Sequence, residues 1–370
     1  MTSARVVARA VVLAAIVLVA AGAARADTHA PWPTDWNNWN DPALWVTVGN
    51  PGNTGQWVGS SYRGDGPDRL CGAVGYTFSM GKFEVTAGQY TAFLNAVAKT
   101  DTYGLYHFMY VSMAEACGIY QTGSSGSYTY NVASDWANRP ASLVTWGDAA
   151  RFANWITNGQ PKGDQDHTTT ESGTYYLNGA NTSETLAAVT RIADSSRVPG
   201  KKYYCIPTED EWYKAAYHRN DGVTGNYWHY PASMDSVPTN QLINPDPGDT
   251  ATFRDDNGDP TIAYPGSTTE VGDHENSHSP YGTFDQGGNV SEWTETLLYS
   301  GPFQQDFCVR GGYWDHGINM LQASSQDAEY PTADTPYYGV GFRISEVPEP
   351  ATLALLAAGA AALVMRRRRH

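Results

Sequence analysis

The segments of the chain that could do chemistry are short and marked by glycine. "DQGGNVSEW", Asp285 to Trp293, sets two carboxylates, Asp285 and Glu292, on either side of a Gly-Gly turn that frees backbone carbonyls. Oxygen donors on a tight loop suit calcium, which takes roughly six to eight oxygens in a flexible geometry; a metal-free capped turn is the alternative. "RGGYWDHGINML", Arg310 to Leu321, places an acid and an imidazole, Asp315 and His316, behind two glycines and two aromatic residues, and holds no thiol. In "DHENSH", His274 and His278 have an i, i+4 spacing that would share a helix face, but the Asn/Ser/Pro-rich surroundings disfavour a helix. Zinc or iron needs several convergent ligands, and nothing in the sequence brings His274, His278 and His316 together. "DDNGDP", Asp255 to Pro260, is acidic but lacks the spacing and closing glutamate of an EF-hand loop, and reads as a solvated turn. There is no G-x-S-x-G, Walker-type or H-E-x-x-H motif.

The ends are as legible as the loops. Two arginines, an apolar run and Ala24-Arg25-Ala26 predict a secretory signal peptide over residues 1–26. At the other end, Val347-Pro-Glu-Pro350 precedes an uncharged apolar run from Ala351 to Met365, and four arginines and a histidine close the chain. That run would rise only about 22 Å as a helix, short of a hydrocarbon core about 30 Å thick. The closing arginines belong on the cytoplasmic side. The chain has 23 Lys and Arg against 38 Asp and Glu, a formal charge of −15. Loss of both ends would remove seven arginines and make it more acidic still. Such a charge excludes nucleic acid and anionic lipid as primary partners. Cys71, Cys117, Cys205 and Cys308 are widely spaced with no C-x-x-C. In an exported protein this points to one or two disulfides rather than zinc, with the pairing open.

The elements that must position these loops are few. "EVTAGQYTAFLNAV" carries Thr86 as N-cap with Gln89 three residues on, and "IPTEDEWYKAAYH" repeats the box with Thr208 and Glu211. "VTWGDAARFANWITNG" has a helical apolar period through Ala149, Phe152, Ala153 and Ile156, with Asn158-Gly159 as the stop. "SGSYTYNVA" and "SGTYYLNG" read as short strands, and residues 225–278 are the least regular stretch. One domain over 70–345 is expected, behind an N-terminal extension over 27–69.

Six stretches, "FSMGKFEVTAGQYTAFLNAV", "NRPASLVTWGDAARFANWI", "YYCIPTEDEWYKAAYH", "SPYGTFDQGGNVSEWTE", "VRGGYW" and "GFRIS", occur in an order that resembles the sulfatase-modifying-factor family of formylglycine-generating enzymes. The resemblance covers nearly all of the chain between its two ends. It implies an irregular, loop-rich α+β fold related to C-type lectins. It also implies a calcium ion held by Asp285 and Glu292 through their side chains and by Gly288 and Val290 through their carbonyls. Asp285 stands where the founding enzymes carry asparagine. The family's oxidase centre is a pair of cysteines that hold copper, and its positions fall here on His316 and Leu321. Leucine cannot ligate copper, so the resemblance does not carry a copper cofactor to this chain. The Pro-Glu-Pro, apolar run and arginine cluster over 346–370 resemble the PEP-CTERM tail, which implies transient membrane anchoring and a sorting transpeptidase as partner. The expectation is an exported binding or structural module at the cell envelope, stabilised by calcium, with an extracellular protein or polysaccharide as its partner. The alternative is a formylglycine-generating or related metal-dependent oxidase acting on a protein cysteine.

Overall fold

The structure, a computed structural model, describes residues 33, 35–58, 69–109, 117–262, 268–301, 304–325 and 332–347, with the backbone alone for 299–301 and 304–306. The expected signal peptide, and the expected tail from residue 348 onward, lie outside the described residues. Among these, no helix is long and apolar enough to cross a membrane.

In chain order the elements are β1 (Trp45–Val48), β2 (Gln56–Val58), β3 (Arg69–Cys71), β4 (Phe78–Gly81), α1 (Ala87–Val97), β5 (Ile119–Thr122), β6 (Thr129–Val132), α2 (Trp146–Thr157), α3 (Ser183–Ala187), β7 (Tyr204–Cys205), α4 (Glu209–Tyr217), β8 (Ser291–Gly301), β9 (Gln304–Arg310), β10 (Val340–Gly341) and β11 (Ser345–Glu346). The main sheet runs β1-β4-β11-β7, so a strand from the end of the domain pairs between two from its beginning and middle. A second sheet is the β8–β9 hairpin with β10 parallel on β8. The two remaining sheets are the hairpins β2–β3 and β5–β6. This is the irregular, loop-rich α+β fold that the sequence leads one to expect.

The helices begin where their caps place them. In α1, Gln89 N donates to Thr86 Oγ1 at 3.2 Å while Thr86 N donates to Gln89 Oε1 at 2.8 Å, satisfying two N–H groups that have no partner within the helix. Thr208 and Glu211 do the same for α4, and Thr145 and Asp148 for α2. All of α2 is buried. Its Phe152 meets the rings of Trp39, Tyr90, Phe93, Trp155 and Phe342 at centroid distances of 5.3–6.2 Å.

Two expectations need correction. The described part of the 27–69 extension is integral to the domain: β1 pairs with β4, and Trp39, Leu44 and Val48 are buried. Their apolar side chains complete the core rather than precede it. "SGTYYLNG" is no strand: Asn154 donates to the Tyr175 carbonyl and accepts from its N–H, so a side chain replaces the ladder. All four cysteines are free and buried; Cys117 donates to the Ser142 carbonyl and Cys205 to the Ser345 carbonyl, each at 3.5 Å.

Phe152→Ala removes the ring shared by these five neighbours. It should cost about 3–5 kcal/mol in denaturant unfolding, and a cost below about 1 kcal/mol would show that the core closes without it.

Candidate functional site

The Asp285–Glu292 loop is shaped by positive φ at Asp285 (59°), Gly288 (86°) and Asn289 (59°). A Cβ on Gly288 would collide with the Thr252 carbonyl, so only glycine fits. Asn289 N donates to that same carbonyl at 2.9 Å, and Gly288 N donates to the Gly311 carbonyl at 2.9 Å. The second contact ties this loop to the Arg310–Leu321 stretch.

Glu292 is fully buried and already committed. Arg343 donates to it through Nε and Nη2 at 2.5 and 2.6 Å, and Trp212 Nε1 adds a third bond at 2.7 Å. Arg343 also donates to the carbonyls of Gly81 and Phe284. Glu84 accepts from Asn289 Nδ2 at 2.8 Å and from Val290 N at 3.2 Å. Asp285 Oδ2 accepts from Gly272 N at 2.5 Å. Burial, with Asp285 and Glu292 nearby, pushes the Glu84 carboxyl well above its ordinary range. Burial likewise pushes Asp285 up to about 7.

The fit to calcium is therefore divided. Glu292 already serves Arg343 and Trp212. No group of three or more His, Cys, Asp or Glu among the described residues is arranged to hold a metal. The charge does fit a cation: Glu84, Asp285 and Glu292 surround one guanidinium, and burial first, then the neighbouring carboxylates, make two of the three carboxyls resist ionisation. Glu84 is the member that sequence reasoning missed. It sits between β4 and α1, far along the chain from its partners, and only its place within the apolar "FEV" marks it.

The Arg310–Leu321 stretch starts from a second buried brace. Arg310 donates to Glu209 through Nε at 2.8 Å and Nη2 at 2.5 Å, and to the Ala323 carbonyl at 3.2 Å. Beyond it, Tyr313 OH bonds to the hydroxyls of Tyr337 and Tyr338, and Trp314 packs on the same cluster. Asp315 pairs with Arg254 at the edge of this aromatic group. His316 lies against Tyr313 with ring centroids 3.9 Å apart, and burial lowers its pKa to about 4. Leu321 is fully buried with Tyr230, Ala251 and Phe253. It also lines a cavity of roughly 20 Å³ shared with His274, Thr283 and Asp285, enough for about one water.

The three histidines do not form a metal site. His274 holds Thr250 Oγ1 at 2.6 Å and Thr252 Oγ1 at 2.8 Å with its two ring nitrogens, and His278 Nδ1 lies 2.9 Å from the Ser279 carbonyl. The Asp255 loop is a turn in which Asp255 Oδ1 accepts from the N–H groups of Asn257 and Asp259, both at 2.9 Å.

Glycine loops crossed over buried Arg–Glu braces, in a fold of short strands and capped helices, define a sulfatase-modifying-factor type of domain. The chain belongs to that family: the model of the sulfatase-modifying factor enzyme 1-like domain matches residues 51–346. The PEP-CTERM protein-sorting motif matches residues 346–369 and marks the protein for export to the cell envelope. No curated protein sequence matches the chain. Among solved structures, CarF is 19% identical over 82% of this chain and 98% of its own, with a TM-score of 0.45. Treponema denticola variable protein 1 is 16% identical, covering 82% and 95%, with a TM-score of 0.47. PvdO from Pseudomonas aeruginosa is 15% identical, covering 82% and 94%, with a TM-score of 0.44.

The raised Asp285 pKa gives a pH signature. Between the ordinary aspartate range and about 7 the folded state keeps a proton that the unfolded state has lost, so stability falls as pH rises through that window. In metal-free protein, Asp285→Asn should flatten this slope in denaturant titrations across the window. An unchanged slope would place Asp285 in solvent as an ordinary carboxylate.

Proposed function

We propose that this protein is an exported member of the sulfatase-modifying-factor family that works at the cell envelope as a binding or structural module, without the family's copper-dithiolate oxidase centre. The observation that carries this reading is the pair of residues at the two expected thiol positions. Leu321 offers no donor atom and is sealed in an apolar cluster, and His316 is a neutral imidazole packed on Tyr313. The only thiol near this stretch in sequence, Cys308, donates to Glu209 at 3.2 Å. Tyr337 and Tyr338, the part-exposed rings packed on the buried Tyr313 and Trp314, support a binding role toward an extracellular protein or polysaccharide. The signal peptide and the tail then account for delivery: the first for export, the second for transient anchoring until a sorting transpeptidase acts.

The reading includes a calcium ion at the Asp285 loop, with Asp285 and Glu292 as carboxylate ligands and Gly288 and Val290 as carbonyl ligands. The surplus of buried carboxylate over guanidinium supports it. The ion would supply the missing positive charge and rigidify the loop.

Two measurements test these statements. Residues 27–345, incubated with Cu(I), oxygen and a sulfatase-type cysteine peptide, should leave the peptide mass unchanged; conversion of its cysteine to an aldehyde at enzymatic rates would overturn the module reading. Calcium should raise Tm, a chelator should lower it, and Asp285→Ala should abolish the response. An unchanged midpoint, with no metal in the purified protein, rejects the calcium site.

A further inference from the structure

Of the four buried thiols, two share a single polar cluster. Cys71 ends β3 and Cys308 lies near the end of β9, yet both sulfurs lie within one cluster of Glu209, Arg69 and Arg310. Cys308 Sγ donates to Glu209 Oε1 at 3.2 Å, and Arg69 Nη2 donates to Cys308 Sγ at 3.7 Å. Arg310 Nη2 bonds Glu209 Oε1 at 2.5 Å and donates to Cys71 Sγ at 3.6 Å. Arg69 also pairs with Glu209 and sits two residues from Cys71 on β3. Cys117 and Cys205 have no such common ground, since each donates to a different backbone carbonyl.

We infer that Cys71 and Cys308 are the chain's oxidisable pair, and that export converts them to its one disulfide while Cys117 and Cys205 stay thiols. The inference rests on the export that the sorting motif marks, because disulfides persist in compartments where thiols are not kept reduced. The oxidant is a disulfide-bearing oxidoreductase or small-molecule disulfide of such a compartment. The exchange takes place on the exported chain before the domain closes over the two sulfurs, which are 1% and 0% exposed once folded. One thiol, deprotonated, attacks the oxidant's disulfide and releases one of its sulfurs as a thiol. The other then loses its proton and displaces the second, forming the Cys71–Cys308 bond. Two electrons and two protons pass from the protein to the oxidant, which leaves as two thiols. Once bonded, Glu209 keeps both arginines, so the buried brace survives the loss of the thiol donor. The same burial then shields the bond from external reductant.

The test is alkylation of denatured protein recovered after export, read by mass spectrometry and peptide mapping. Two alkyl groups without reductant, four with it, and a linked peptide containing Cys71 and Cys308 are expected. The long loop closed by this bond constrains the unfolded chain, so reduction should also lower Tm. Four alkyl groups without reductant would overturn the inference, and so would a linkage involving Cys117 or Cys205. Neither result bears on copper or calcium, so failure here leaves the module reading standing.

Discussion

The bond on which the structure turns is the buried ion pair between Arg343 and Glu292. Both side chains are fully out of solvent, and the two-pronged contact at 2.5 and 2.6 Å is completed by the Trp212 indole. A buried pair of this kind gains little over an apolar pair of equal volume, but removing one partner strands a charge at a cost of about 3–5 kcal/mol. Its value here is positional. Arg343 also reaches the carbonyls of Gly81 and Phe284, so one guanidinium joins the end of the main sheet, the Asp285 loop and the β8 hairpin. Arg310 plays the parallel role between β9, the start of α4 and the chain beyond Leu321. A fold with such short strands satisfies its loop carbonyls through arginines of this kind.

These braces hold two glycine loops together. Gly288 N donates to the Gly311 carbonyl, which brings the Asp285 loop against the stretch where the family resemblance would place reactive thiols. At the positions themselves stand a buried leucine and an imidazole whose charge is suppressed by burial. Around them lie a mostly buried aromatic cluster and a local surplus of buried carboxylate, the features on which the proposed binding and calcium roles rest.

How far this was readable from sequence depends on the range of each interaction. The capping boxes of α1 and α4 join residues three apart, and both helices begin where Thr86 and Thr208 place them. The equivalent box of α2 uses Asp148 in place of Glu or Gln, and so goes unread in the same pattern. The glycine loops are legible because positive φ and close approach demand glycine. Glu84 is not legible: its bonds to Asn289 and Val290 cross some two hundred residues, and no local spacing records them. "SGTYYLNG" misleads for a related reason, since its strand-like composition is satisfied by the side chain of Asn154 rather than by a neighbouring strand. The N-terminal segment misleads because its role as a sheet partner of β4 appears only once the chain is folded.

Whether the scaffold persists without its two thiol positions is read by Cu(I) competition. The native chain and the His316→Cys, Leu321→Cys double variant would each be titrated against a Cu(I) chelator of known affinity. The native chain should leave the metal with the chelator, and the double variant should withdraw one equivalent. Stoichiometric withdrawal by the native chain, lost on replacing His316, would contradict that expectation.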